Sequence, residues 1–178
     1  MESATQSQEL LQCFDQDKNP IGSKLRKDFL ANLDNCFPGV SNIFLVNDSE
    51  EIMCSQRANK VLSNPGKWQT YFGGHLPAGM TFLQNAIKEL SEEAGLLVNE
   101  EDVISISQGR TADNKFFEDF VVRFNGQPSD LKFVDGEISQ AKWMSMSDYW
   151  TEKTNNPDNW CNNCDLEQQK MILEKLGI

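Results

Sequence analysis

The sequence predicts an α/β protein in which one mixed β-sheet is covered by helices on both faces. Short runs rich in β-branched and aromatic residues recur at 40–46, 52–57, 103–107, 116–124 and 138–144. Two segments with the apolar spacing of a helix, 81–95 and 165–176, fall among and after them, and strands interleaved with helices fold into such layers. The chain has 178 residues, enough for one good core and short of a second, so 1–178 reads as a single domain.

Taken in order, residues 1–12 are polar and read as a frayed end. The stretch 13–22 alternates apolar residues around a turn cluster and predicts a hairpin, and 23–33 reads as a helix. The strand at 40–46 turns through Asn47-Asp48-Ser49 into a second at 52–57, and 68–72 is a third extended segment that leads into Gly73-Gly74. Thr81 followed by Gln84 has the form of a capping box, and Gly95 closes the same helix. Along 116–124, alternation puts Phe116, Glu118, Phe120, Val122 and Phe124 on one face. A carboxylate on that apolar face needs a partner, so Glu118 is expected at a rim, as an extra metal ligand or base.

Charge narrows the function classes. A formal net charge of −11 excludes a nucleic-acid duplex as the natural partner. No run of about 18 apolar residues and no basic-then-apolar leader is present, which predicts a soluble, cytoplasmic protein with no membrane partner. Five cysteines form an odd, scattered set rather than a secreted disulfide framework. Cys161 and Cys164 form a lone CxxC with no second pair, a poor zinc site, and read as plain thiols.

The chemistry concentrates between Gly74 and Leu96. Glu89, Glu92 and Glu93 stand at i, i+3 and i+4, so on a helix they share one face, beside an apolar stripe of Leu83, Ala86, Ile87, Leu90 and Ala94. Three carboxylates at that spacing repel one another, and a hard divalent cation relieves the repulsion. A solvated acidic face is the competing reading of the same residues.

This segment resembles the Nudix box, in which a glycine, spaced glutamates and a closing glycine follow one another at fixed intervals. Gly74, Glu89, Leu90, Glu92, Glu93, Gly95 and Leu96 match that signature with its spacing intact; Met80 and Lys88 stand where the family has a glutamate and an arginine. The resemblance implies a Nudix-type α/β/α sandwich with a mixed sheet. It also implies a hydrolase that cleaves a pyrophosphate bond in a nucleoside diphosphate derivative with Mg²⁺ or Mn²⁺. Glu89, Glu92, Glu93 and the Gly74 carbonyl are then the metal set, and Glu89 can also deprotonate the attacking water. The altered pair, Met80 and Lys88, belongs to a structural brace, and a non-catalytic ligand-binding module is the alternative it leaves.

Looser similarity over about 13–150 points to the isopentenyl diphosphate isomerase branch. On that similarity Arg57 and Lys60, with Lys67 nearby, are expected to clamp phosphates of a small phosphorylated substrate. Trp68, Tyr71 or Phe72 is expected to stack on the leaving moiety, His75 to contact substrate, and Glu137 to be a loop acid near it. The isomerases use a cysteine just before the histidine; here that residue is Gly74, which favours hydrolysis. The protein is expected as a monomer or homodimer.

Overall fold

The computed structural model describes residues 8–29, 35–161 and 166–177. Among them run β1 (Leu10–Phe14), β2 (Pro20–Leu25), α1 (Arg26–Phe29), β3 (Phe37–Val46), β4 (Glu51–Arg57), β5 (Trp68–Gln69) and β6 (Phe72–His75). There follow α2 (Phe82–Ala94), β7 (Val103–Arg110), β8 (Phe116–Arg123), β9 (Ile138–Ser145), α3 (Met146–Asn155) and α4 (Leu166–Leu176).

β3 is the axis of the molecule. It runs parallel to β8 from Gly39↔Phe116 to Val46↔Arg123, antiparallel to β6 from Val40↔His75 to Ile43↔Phe72, and meets β1 at its start. β7 pairs antiparallel with β8, and β4 pairs with β9 and touches β3 at Val46↔Ile52. The sheet is mixed, as expected. Because β3 is covered on both faces it reads as a nearly continuous apolar run, and alternation divides that run between two cores. Ile43 and Leu45 pack under α2 with Phe82, Ala86, Leu90, Phe120 and Val122. Phe44 and Val46 face the other way, against Tyr149 of α3 and Ile172 and Leu176 of α4. This is the α/β/α sandwich.

Three expectations need correcting. Residues 10–12 are not frayed: they belong to β1, and Leu11 is 1% exposed. Residues 23–25 are strand, because pairing from Leu10↔Leu25 to Gln12↔Ser23 lengthens the hairpin; the helix begins at Arg26, and 30–33 lie outside the described residues. The segment 68–72 splits into β5 and β6 around Thr70-Tyr71. α3 was not anticipated. Ser145 caps it, accepting the Asp148 N–H at 3.1 Å, but Tyr149 is its one buried residue, so its sequence carries almost no apolar period.

Other expectations stand. Thr81 and Gln84 form the reciprocal capping box and Gly95 the left-handed cap of α2. Among the described residues no helix is long and apolar enough to cross a membrane. The cysteines depart from expectation in one respect: Cys13 and Cys36, brought together where β1 meets β3, form a disulfide with Cα atoms 5.3 Å apart, while Cys54 and Cys161 are free. Cys164 lies outside the described residues.

Candidate active site

The site begins with how α2 is anchored. Burial of Phe82, Ala86, Leu90 and Ala94 against the sheet sets the helix's rotation, and that rotation grades the three glutamates. Glu93 is 3% exposed and the Glu89 side chain 13% exposed, whereas the Glu92 side chain is 54% exposed. Asn85 shares the buried edge and donates to the Gly74 carbonyl at 3.2 Å. Glu93 accepts the Gly73 N–H at 2.9 Å, so helix and strand are joined at the acid itself. Gly73 is sterically required, and the bare Gly74 lets the Glu89 carboxyl lie close against the strand. A Cβ on Gly74 would lie 2.7 Å from the Glu89 carboxyl, and one on Gly73 2.0 Å from the Ser41 carbonyl oxygen.

Burial dominates the electrostatics. It raises Glu93 well above the usual carboxylate range, with Glu89 adding repulsion, and it pushes Glu89 up to about 7 although Lys88 opposes it. Burial works against the charge on Lys88, yet its contacts with Glu92 (2.6 Å) and Glu89 (3.4 Å) win and its pKa rises. Met80 packs against the core, so the brace positions hold an apolar contact and a bridging cation. Across the cleft, the loop after β8 brings Asp135 and Glu137 to Glu93, with one oxygen of each within 4.8 Å of the others. Burial raises Asp135 as well. Several carboxylates crowded into a partly dry place are expensive without a cation, and oxygen donors of this kind suit Mg²⁺ or Mn²⁺. The residues fit a divalent metal.

These groups line a cavity of about 900 Å³. Of the residues singled out in the sequence, Gly74, Glu89, Glu92, Glu93, Arg57, Tyr71, His75 and Glu137 line it. Arg57 is held by the Ser63 carbonyl (2.8 Å) and the Gln69 side chain (3.3 Å). His75 is held neutral: burial, then Arg26 and Lys115, lower its pKa to about 4.

The other expected contacts lie elsewhere. Lys60 is not at the cleft; its ammonium lies over Gly136, so it braces the loop that carries Asp135 and Glu137. Trp68 turns away to pair with Trp160, ring centroids 6.2 Å apart, and carries Lys142 over its face, while Phe72 is wholly buried in the α2 core. Glu118 does share the face of Phe116, Phe120 and Val122, but it ends in an ion pair with Lys18 at 2.7 Å rather than at the metal site. The partner that its position required is a lysine in the β1–β2 turn, 100 residues earlier in the chain.

Sequence reasoning missed Asp119, Asn42, Asp135 and Gln168, all of which line the cleft. Alternation along β8 places Asp119 opposite to Glu118 and so on the cleft face, which was the available signal. Gln168 had none, because it arrives from α4.

The NUDIX domain family model matches residues 37–161, and the chain belongs to that family. The chain is 27% identical over 157 residues to an isopentenyl-diphosphate Delta-isomerase of Serratia proteamaculans (strain 568), covering 84% of each. Among solved structures it resembles DR0079 of Deinococcus radiodurans, with a TM-score of 0.70 at 16% identity over 94% of this chain and 99% of the other. It also resembles a bifunctional NMN adenylyltransferase/ADP ribose pyrophosphatase of Francisella tularensis, complexed with AMP and a manganese ion. There the TM-score is 0.58 at 19% identity, over 85% of this chain and 45% of the other.

Proposed function

We propose that this protein is a divalent-metal-dependent hydrolase that cleaves a pyrophosphate bond in a nucleoside diphosphate derivative. The observation that carries this reading is Glu93: a buried carboxylate tied to the Gly73 N–H and facing Glu89, Asp135 and Glu137 across one cleft. Glu89, Glu92, Glu93 and the Gly74 carbonyl would hold Mg²⁺ or Mn²⁺, with Glu137 and Asp135 from the opposite wall. The metal, when bound, neutralises charge on phosphoryl oxygens and acidifies water.

The chain's own groups divide the remaining work. Glu89 lines the cleft next to Glu93 and, as a carboxylate, can take a proton from an attacking water. Arg57 at the cleft wall offers its guanidinium to phosphate oxygens. Tyr71 and Phe117 offer aromatic faces to the organic part of the substrate. A cleft of about 900 Å³ accommodates a nucleotide-sized molecule. The manganese and AMP of the Francisella relative are in keeping with such a ligand.

The similarity to an isomerase gives a second reading, rearrangement of a prenyl diphosphate. Gly74 speaks against it. The resemblance puts the isomerases' thiol at that position, and Gly74 has none. Incubating the protein with nucleoside diphosphate sugars, ADP-ribose, dinucleoside polyphosphates and isopentenyl diphosphate, each with Mg²⁺ or Mn²⁺, decides between them. Phosphate-ester products from the nucleotides are expected. Turnover of isopentenyl diphosphate alone, or of nothing, would end the proposal.

A further inference from the structure

The floor of the cleft carries a short row of side chains that the metal chemistry leaves unused. His75 of β6, Val40 of β3 and Phe117 of β8 stand side by side, because Val40 is the cross-strand partner of both others. All three line the cleft and are half-exposed. On its other side Phe117 pairs with Gly109 of β7, where an added Cβ would lie 2.9 Å from the phenyl ring. The ring therefore leans over β7, in space that a glycine leaves open, and away from Val40. Among the described residues Phe117 has no aromatic partner and the His75 imidazole has no hydrogen bond.

An open phenyl ring and an exposed valine beside a polar ring nitrogen suit a planar heterocycle, whose faces are apolar and whose edge forms hydrogen bonds. The rim argues against a second anion there. Arg26 pairs with Glu9 at 3.3 Å and Lys115 with Asp113 at 2.8 Å, so the charges beside the row cancel in pairs. The row is also well placed. A two-residue step along the strands, about 7 Å, leads from His75 and Val40 to Gly73 and Asn42. There the Gly73 N–H holds Glu93, and the step is on the scale of the ribose between a base and its phosphate. Tyr71, the other aromatic of the cleft, already packs edge-on against Phe44, with ring centroids 6.1 Å apart.

Resting on the hydrolase reading above, we propose that this row is the nucleobase subsite and that it takes purines in preference to pyrimidines. The base lies on Phe117 and Val40, and His75 bonds to its edge. The gain from stacking grows with the ring area covered, so the fused rings of a purine gain more than the single ring of a pyrimidine. Gly109 is a positioning residue: it acts only by letting Phe117 lie where it does.

The test uses equilibrium binding, which does not depend on turnover. Calorimetric titration of the full chain in Mg²⁺ with AMP, CMP and ribose 5-phosphate separates the base from the phosphate. AMP should bind at least about tenfold tighter than ribose 5-phosphate, with CMP between them. Phe117→Ala should bring AMP and ribose 5-phosphate within about threefold of each other, and Phe117→Trp should keep them apart. Gly109→Ala forces the ring off its bed and should shrink the same gap, while the rise in Tm with millimolar Mg²⁺ stays as in the parent. This second variant serves if Phe117→Ala does not fold. Equal affinities in the parent, CMP binding as tightly as AMP, or a gap that Phe117→Ala and Gly109→Ala both leave intact would overturn the proposal. Base-dependent binding without hydrolysis of any diphosphate would support this subsite and sink only the hydrolase reading. Hydrolysis with no dependence on the base would do the reverse.

Discussion

The two ends of the cleft are built by different rules. At the α2 end, Glu89, Glu92 and Glu93 come from one helix over five residues, and local periodicity alone brings them together. At the α4 end, Asn42, Ser107, Asp119 and Gln168 come from β3, β7, β8 and α4, and nothing but strand register and helix docking joins them. The first end is an excess of charge that calls for a cation. The second is a single charge already surrounded by donors. A site made by one helix can drift as a unit, whereas a site made by four elements is lost when any of them shifts.

Gly73 is where the ends meet, and it offers the largest effect. Its φ of 152° and a Cβ position 2.0 Å from the Ser41 carbonyl oxygen leave no room for a side chain. Gly73→Ala should cost about 3 kcal/mol or more in stability and, by displacing Glu93, damage the metal response. Urea unfolding with and without millimolar Mg²⁺ checks this; a variant as stable as the parent and equally responsive to the metal would show that the strand accommodates a side chain there.

Next is Glu93→Gln, which keeps shape but removes one charge. Hydrolysis should slow at least about a hundredfold, about 2.7 kcal/mol in the barrier, and the rise in Tm on adding millimolar Mg²⁺ should shrink. If no metal binds the triad, the variant is instead slightly more stable, because one repelling carboxylate is gone, and equally active.

Tyr71 sits between the ends and reports on both. Burial first, then the neighbouring Cys161, Glu93 and Asp119, push its phenol up to about 12 against a usual 10, while Arg57 pulls the other way. A raised folded pKa stabilises the fold fully below the unfolded value and loses that contribution as pH rises from 10 through 12, so stability should fall over that window. The chain has two tyrosines, so absorbance near 295 nm can follow the ionisation with a Tyr149→Phe background. Glu93→Gln and Asp119→Asn should each lower the midpoint. A midpoint that responds to only one of them would place Tyr71 at one end rather than between.

The smallest effect belongs to the altered brace. Restoring the family pair with Met80→Glu and Lys88→Arg should leave kcat/KM within about tenfold, about 1.4 kcal/mol, because Lys88 already bridges Glu89 and Glu92. An inert parent and an active double variant would mean that the natural sequence encodes a binding module.

Legibility in the sequence followed the same division. The α2 helix, its caps and its acid face were readable because they obey one local period, and the strands at β3, β4, β8 and β9 were readable from composition. Stacking by Trp68 and ligation by Glu118 were misassigned, since a strand residue's face is known from alternation but not what covers that face. Asp119 and Gln168 went unread because a single Asp in a strand and a single Gln in a helix carry no pattern of their own. α3 was missed because a helix that buries one tyrosine leaves no stripe.

By itself the sequence determined the alternation of strands and helices and the capped helix bearing three glutamates. It also determined the glycine pair that precedes that helix, because each of these depends on residues within a few positions of one another. Only the tertiary structure decided which glutamate is buried, that Asp135 and Glu137 face Glu93, and that Lys18 rather than a metal satisfies Glu118. It alone also decided that α4 closes the far end of the cleft. Burial and cross-chain hydrogen bonds depend on which distant segments pack together. That choice is made by the free energy of the whole core and not by any window of the chain.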